Sequence, residues 1–341
     1  MEHKRREPAP GVLRVVLPLP FPGLDRVNAF LLRDESGDTL VDCGMRTPAP
    51  EHDHGFEHLT QALAAAGGSV DALTRLVVTH PHIDHYGLAA QVVDEAGCEL
   101  WMHESTSADL EPLRDPESTV KQVEAMFADH GVPPGEIEGL TSYEDWRSFV
   151  TGVVEPTVTV KEGDTFECGG REWRFVHTPG HIGSHVCLWC EGDGLLISGD
   201  HLLPTITPHI DFKRGYEVDP LGDFLDSLAK VERLDPKLVL PGHGRPFEEG
   251  AERAKIVARH HDRRLGAISQ IIRHEARSAS EITEEIFGST LLNFHRRLAL
   301  GEALAHLVYL RKRGEIERLE RDDGTYVFKK VRRQRPMEDD E

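Results

Sequence analysis

Apolar and polar positions change their period several times along the chain, and each change marks an element. Residues 12–19, 27–33 and 39–42 are short apolar runs separated by turn-forming residues, the last two joined through Asp34-Glu-Ser-Gly-Asp38. That pattern predicts a β-meander. From Phe56 the period becomes helical, with Leu59, Leu63 and Ala66 on one stripe and Gly67-Gly68 as its stop. An apolar strand, Leu76–Val78, runs into a histidine cluster and is followed by a predicted helix over 86–96 and a strand over 98–102. Residues 103–155 break this rhythm. They are polar, punctuated by Pro, and helical where periodic, as over Val120–Phe127, which predicts a helical insertion or lid. Strand patterns return over 157–167, 171–177, 184–190 and 194–198, then a helix over 220–233, a strand over 237–240 and a long helix from Glu248 to about Arg273.

The last section has its own grammar. Ser278-Ala-Ser-Glu281 is a capping box for a helix through Phe287, and Leu300, Leu304 and Leu307 line a second helix that Gly314 ends. Glu315–Glu320 and Thr325–Lys330 then flank Arg321-Asp-Asp-Gly324 as a hairpin. Helix, helix, hairpin is the order of a winged helix, a module that binds nucleic acid or packs on a neighbour. Two domains are therefore expected: 11–250, with 103–155 as its insertion, and 251–335, a linker helix and a winged-helix-like domain.

Charge narrows the partners. The 341 residues carry 39 Lys and Arg against 59 Asp and Glu, a net charge of −20. Residues 1–260 hold 23 basic against 44 acidic side chains, and residues 261–341 hold 16 against 15. A surface of that sign on the larger part repels nucleic acid and anionic membrane. No run of eighteen apolar residues offers a membrane span, and the charged first ten residues lack the apolar stretch of a secretory signal. Five scattered cysteines fit reduced thiols. A cytoplasmic protein is expected. Cys187-Leu-Trp-Cys190 has redox-motif spacing but stands in an apolar run, which predicts buried strand cysteines instead.

The chemistry concentrates in Thr79-His80-Pro81-His82-Ile83-Asp84-His85-Tyr86-Gly87, directly after a strand. In extended backbone, residues two apart point the same way, so His80 and His82 can reach one metal. Asp84 and His85, at the turn, can reach a second position beside it. Three later segments repeat the placement of a ligand-type residue after a strand and beside glycine: Thr178-Pro-Gly-His181, Ser198-Gly-Asp200-His201 and Leu240-Pro-Gly-His243-Gly244. Two ions with three or four protein ligands each need about this many donors.

With these residues in this order, the chain resembles the metallo-β-lactamase-fold hydrolase superfamily over roughly residues 12–250. The resemblance implies an α/β fold, a four-layer αβ/βα sandwich with the metals at one edge of its two sheets. It implies that His80, His82 and His181 hold the first metal and Asp84, His85 and His243 the second, with Asp200 bridging. Asp42, in Leu40-Val-Asp-Cys-Gly44, matches the early acidic residue that supports such a site without ligating, and His201 beside Asp200 is a second candidate support. An Asp bridge is typical of the glyoxalase II-like and ribonuclease-like branches, and the appended C-terminal section resembles the lactamase-beta-like protein branch. The implied cofactors are two divalent ions, zinc first, with iron or manganese compatible.

Two adjacent cations bring a shared water to a pKa of about 7 or below, so the expected nucleophile is a hydroxide between them that attacks a carbonyl. Asp84 and Asp200 are the expected catalytic carboxylates, Asp84 as proton shuttle where one is needed. A thiolate leaves without prior protonation because thiol pKa is only about 8.5. The expected substrate is thus a thioester or activated ester of acyl-CoA, acyl-carrier or glutathione type. His209, Lys213, Arg214 and Tyr216, in the loop after Asp200, are candidate contacts to a carrier's phosphate or carboxylate. One alternative is a metal-dependent endoribonuclease on single-stranded RNA, favoured by the winged helix and Lys329-Lys330-Val-Arg-Arg333 and opposed by the acidity of the larger part. Another is a lactonase or other small-ester hydrolase. His260 and His261 are expected to cap or pair on a helix. No membrane partner is expected, and the oligomeric state is open, a homodimer being compatible with the chain.

Overall fold

The structure is a computed structural model that describes residues 6–21, 23–47, 53–142, 146–212 and 218–331. Its first sheet holds β1 (Val12–Phe21), β2 (Leu24–Leu32), β3 (Asp38–Val41), β4 (Leu73–Val77), β5 (Glu99–His103) and β6 (Val158–Val160), side by side in that order. The meander β1–β3 is antiparallel, and β3 to β6 run parallel. A second sheet has the order β12-β11-β10-β9-β8-β7, from β7 (Thr165–Cys168), β8 (Arg171–His177), β9 (Val186–Cys190), β10 (Leu195–Gly199), β11 (Leu238–Pro241) and β12 (Phe247–Glu248). Within it only β10 and β11 are parallel.

Side-chain alternation makes two cores from the first sheet. Phe30 and Leu32 of β2 pack with Trp173, Phe175, Leu188 and Ile197 of the second sheet. Their neighbours Ala29 and Leu31 face the other way, into a cluster with Leu59 and Leu63 of α1 (Gly55–Ala65). A strand covered on both faces reads as a continuous apolar run rather than an alternating one. Each such Leu or Phe contributes roughly 1.5–3 kcal/mol on burial. The helix α2 (Ile83–Tyr86) and α3 (Ala89–Ala96) continue the cover through Tyr86 and Val92.

Two sequence expectations are revised. The helix expected over 86–96 is two helices, because Gly87 passes between Met45 and Phe149, where a Cβ would stand 2.7 Å from the backbone of each. The run 157–167 is two strands in different sheets: Glu162-Gly163 turns the chain, Gly163 at φ +88°, with Asp164 accepting from the Lys161 amide.

Residues 103–155 hold α4 (Thr106–Asp109), α5 (Glu111–Arg114), α6 (Pro116–Asp129) and α7 (Pro134–Thr141). They do not group as one body. The described parts of 1–120, 143–210 and 222–258 form one compact unit, which contains both sheets and most of α8 (Pro220–Leu234). The described parts of 121–142, 211–221 and 259–341 form the second unit.

That second unit contains the end of α9 (Gly250–Ile271), β13 (Arg277–Ser278), α10 (Ala279–Phe287), α11 (Asn293–Lys312), β14 (Ile316–Glu320) and β15 (Tyr326–Lys330). Its strands pair in the order β13-β15-β14, and Ser278 and Glu281 make the expected reciprocal cap. The Ser280 amide donates to the His130 carbonyl at 3.1 Å, which ties the end of α6 to α10. Helix α11 is buried almost all round, through Leu300, Ala303, Leu304, His306, Leu307 and Leu310. Among the described residues no helix is long and apolar enough to cross a membrane. All five cysteines are free and buried. Cys187 and Cys190 lie three apart on β9, so they face opposite sides of the sheet.

Candidate metal centre

Parallel strands aim their C-terminal ends at one edge. There β3 runs out into Asp42, β4 into Thr79 and His80, β10 into Asp200 and β11 into His243. Two main-chain bonds join the sheets at this edge: the Val186 amide donates to the Thr79 carbonyl at 2.9 Å, and the Asn28 amide to the Gly242 carbonyl at 2.7 Å. The loop after β8 brings in His181, and α8 lies beside that loop, Ser227 Oγ donating to the Pro179 carbonyl and Lys230 Nζ to that of His177.

All seven expected donors meet here. The ligand atoms of His80, His82 and His181 lie within 4.8 Å of one another, as do those of His80, His85 and Asp200, and those of Asp84, His85 and His243. His82 Nδ1 is 2.9 Å from His181 Nε2. His243 Nε2 lies 3.1 Å from Asp84 Oδ2 and 3.3 Å from Asp200 Oδ2. Asp200 also reaches His85 Nε2 (3.5 Å) and His181 Nε2 (3.9 Å), so its two oxygens face both groups of histidines. His82 is extended, at φ −67° and ψ 147°, whereas Asp84 and His85 already stand on the single turn of α2.

The far nitrogen of four rings is held from outside. Nδ1–H of His85 donates to Asp42 Oδ2 (2.8 Å), that of His181 to the His209 carbonyl (2.6 Å), and that of His243 to the Arg26 carbonyl (2.8 Å). His80 Nδ1 meets Thr79 Oγ1 at 3.0 Å. Such bonds fix ring orientation and turn Nε2 inward, as ligating histidines require. Asp42 is itself fixed by the Thr79 amide (2.7 Å) and hydroxyl (2.9 Å), in a backbone conformation at φ +60°.

The electrostatics describe a cation-shaped enclosure. Burial pushes His80 well below the ordinary histidine range and lowers His181 as well. Burial raises the Asp84 and Asp200 carboxyls, but His85 and His243 outweigh it, taking Asp84 down to about 2 and Asp200 well below its usual value. Conversely, burial lowers His85 and His243, and the carboxylates outweigh it, raising His85 well above its usual range and His243 to about 10. Two buried carboxylates thus depend on positive charge between them. His80 Nε2 is buried with no hydrogen-bond partner among the described residues. Five imidazoles and two carboxylates suit zinc, and iron or manganese as well; the residues present fit a pair of divalent cations.

Sequence reasoning overlooked several supports. His185 is fully buried, with Nδ1 on Thr178 Oγ1 (2.8 Å) and Nε2 accepting from the Asp200 amide (3.2 Å). His201, expected in that role, lies behind it, its ring 6.1 Å from that of His185 and 5.2 Å from Phe224. Burial keeps His201 neutral, at about 3. Asn28 Nδ2 donates to the carbonyls of Pro241 (2.7 Å) and Gly244 (2.9 Å) and so shapes the turn bearing His243. The signal for His185 was its position four residues after His181; Asn28 is one polar residue in an apolar strand. His209 contributes its carbonyl to His181. Lys213, Arg214 and Tyr216 lie outside the described residues.

A two-sheet sandwich with a divalent-metal donor set at one edge is the architecture of a metallo-hydrolase. Residues 22–243 match the family profile described as Metallo-beta-lactamase superfamily, and residues 265–331 match the Metallo-beta-lactamase-like, C-terminal domain. The chain belongs to the metallo-beta-lactamase superfamily. Probable metallo-hydrolase YqjP of Bacillus subtilis is 29% identical over 245 residues, covering 69% of this chain and 72% of that protein. Acyl-coenzyme A thioesterase MBLAC2 of Homo sapiens is 25% identical over 281 residues, covering 78% and 89%. Among solved structures, metallo-beta-lactamase family protein TTHA1429 from Thermus thermophilus superposes with a TM-score of 0.80 at 30% identity, covering 95% of this chain and 99% of that one. A beta-lactamase domain protein from Burkholderia ambifaria gives 0.82 at 34%, covering 95% and 93%.

Proposed function

We propose that the protein is a zinc-dependent thioesterase with a dinuclear centre, acting on acyl-CoA or related carrier thioesters. The observation that carries this reading is the convergence of His80, His82, His181, Asp84, His85, His243 and Asp200 at one edge. In this assignment His80, His82 and His181 would hold one ion and Asp84, His85 and His243 the other, with Asp200 placed to serve both. The distances from Asp200 to His181, His85 and His243 support the spanning role. The similarity to a protein named acyl-coenzyme A thioesterase supports the substrate class.

Divalent cations held there would activate water as a nucleophile at neutral pH and polarise the scissile carbonyl. The chain's own residues set the geometry. Asp42, the His209 carbonyl and the Arg26 carbonyl keep three imidazoles in one tautomer and one orientation. The side chains of Asp84 and Asp200 keep 13% and 12% exposure, and His82 and His181 are half-buried, so the set meets solvent along these four residues. Asp84 is then the group placed to carry a proton between solvent and the reacting centre. A departing thiolate makes no demand on it, whereas an alkoxide does.

The test is a panel of acyl-CoA thioesters and S-lactoylglutathione given to the zinc-loaded chain, with free thiol followed with and without chelator, beside a labelled single-stranded RNA. Chelator-sensitive thiol release with intact RNA is the expected result. RNA cleavage without thiol release overturns the substrate class.

A further inference from the structure

Residues 259–331 assemble a second set of donor atoms, apart from Asp84 and Asp200 and their histidines. His261 lies midway along α9, and Glu302 and His306 stand one turn apart on α11. Their ligand-type atoms lie within 4.8 Å of one another. Donors at i and i+4 share one helix face, so two come from one element and the third from the helix facing it. Both imidazoles are fully buried, and the Glu302 side chain is 13% exposed.

The hydrogen bonds set the protonation of these rings. Nδ1–H of His306 donates to the Glu302 carbonyl at 2.7 Å, which leaves Nε2 as the lone-pair nitrogen, 3.2 Å from His261 Nδ1. Two nitrogens ligating one tetrahedral zinc at about 2.05 Å stand about 3.3 Å apart, close to this separation. Burial lowers His261 to about 3 and His306 to about 4, so both are neutral at physiological pH. Arg264 Nη1 donates to Glu302 Oε1 at 2.7 Å, the kind of outer bond that orients a ligating carboxylate.

We propose that His261, Glu302 and His306 form a separate binding site for a divalent transition cation of the zinc class, with two nitrogen donors and one oxygen donor. The ion clamps α9 to α11. It takes no part in hydrolysis, and by binding the folded chain alone it raises stability with free zinc concentration. The pairing expected of His261 is then the resting state of a ligand.

The experiment strips the full chain with chelator, equilibrates it with zinc alone at low-micromolar free concentration, and counts zinc per chain in wild type, Glu302→Gln and His306→Gln. Each variant is expected to hold one ion fewer than wild type, to lose part of the zinc-dependent rise in unfolding temperature, and to keep its hydrolytic rate. Only the difference is read, so the number of ions held elsewhere, and the reading of the other site, drop out. Glu302→Gln keeps the side chain's shape and an acceptor for Arg264, so it serves should His306→Gln fail to fold. Zinc content in Glu302→Gln equal to wild type overturns the proposal and makes the trio a hydrogen-bonded core contact.

Discussion

Asp42 Oδ2 accepts the Nδ1 proton of His85 at 2.8 Å, while both Asp42 oxygens are already engaged by Thr79. A residue on the loop after one strand thereby orients a ring on the helix after the next. In Asp42→Asn the backbone at φ +60° survives, because Asn tolerates the left-handed region. One of three donors then meets an amide N–H. Zinc affinity is expected to fall by roughly 10–100-fold, read by competition with a chromophoric chelator. Unchanged affinity would confine Asp42 to holding the fold.

Asp200→Asn removes charge from the carboxylate that faces both histidine groups. The variant is expected to bind one ion fewer at this edge and to turn over roughly 100-fold more slowly or worse, measured as metal content and initial rate on the same sample. Near-normal turnover would remove Asp200 from its spanning position.

Gly242 packs where no side chain fits: a Cβ there would stand 2.4 Å from Asp200 Oδ1 and 2.7 Å from His85 Cε1. Gly242→Ala is expected to displace both ligands, weakening metal binding and destabilising the metal-free chain by about 1–3 kcal/mol. Denaturant unfolding and metal titration together check it. A variant with wild-type affinity would mean the edge has slack that the distances deny.

Metal loading is expected to release protons. In the metal-free fold His243 titrates at about 10 and His85 well above its usual range, so both carry a second proton, on Nε2, at pH 7.5. Ligation needs their lone pairs, so binding expels those protons, and affinity rises with pH over that range. Calorimetric titrations in buffers of different ionisation enthalpy measure the number. A count near zero would show that neither ring is an imidazolium before the metal arrives.

The donor set was legible because its signals are local. His80 and His82 follow from the two-residue period of extended chain, and His181, Asp200 and His243 from strand-then-glycine placement. Elements defined by distant packing were not. The separation of β6 from β7 depends on which sheet each joins, and a single Gly163 turn decides it. Residues 121–142 group with the C-terminal segment through contacts such as Ser280 with His130, 150 residues apart in sequence, which no window of periodicity contains. Adjacency in sequence points to His201 beside Asp200, whereas the Asp200 amide donates to His185, a ring fifteen residues earlier.

The five buried cysteines, Cys43, Cys98, Cys168, Cys187 and Cys190, all belong to the unit that contains the two sheets. Burial raises Cys43 well above the usual thiol range and Cys187 to about 12. A thiol reagent therefore stays blind to the native chain and sees product thiol against little background. Under denaturant the same reagent becomes a clock for the opening of the sandwich alone. The second unit has no cysteine to label, so the labelling rate times the first unit with no contribution from the second and no engineered probe.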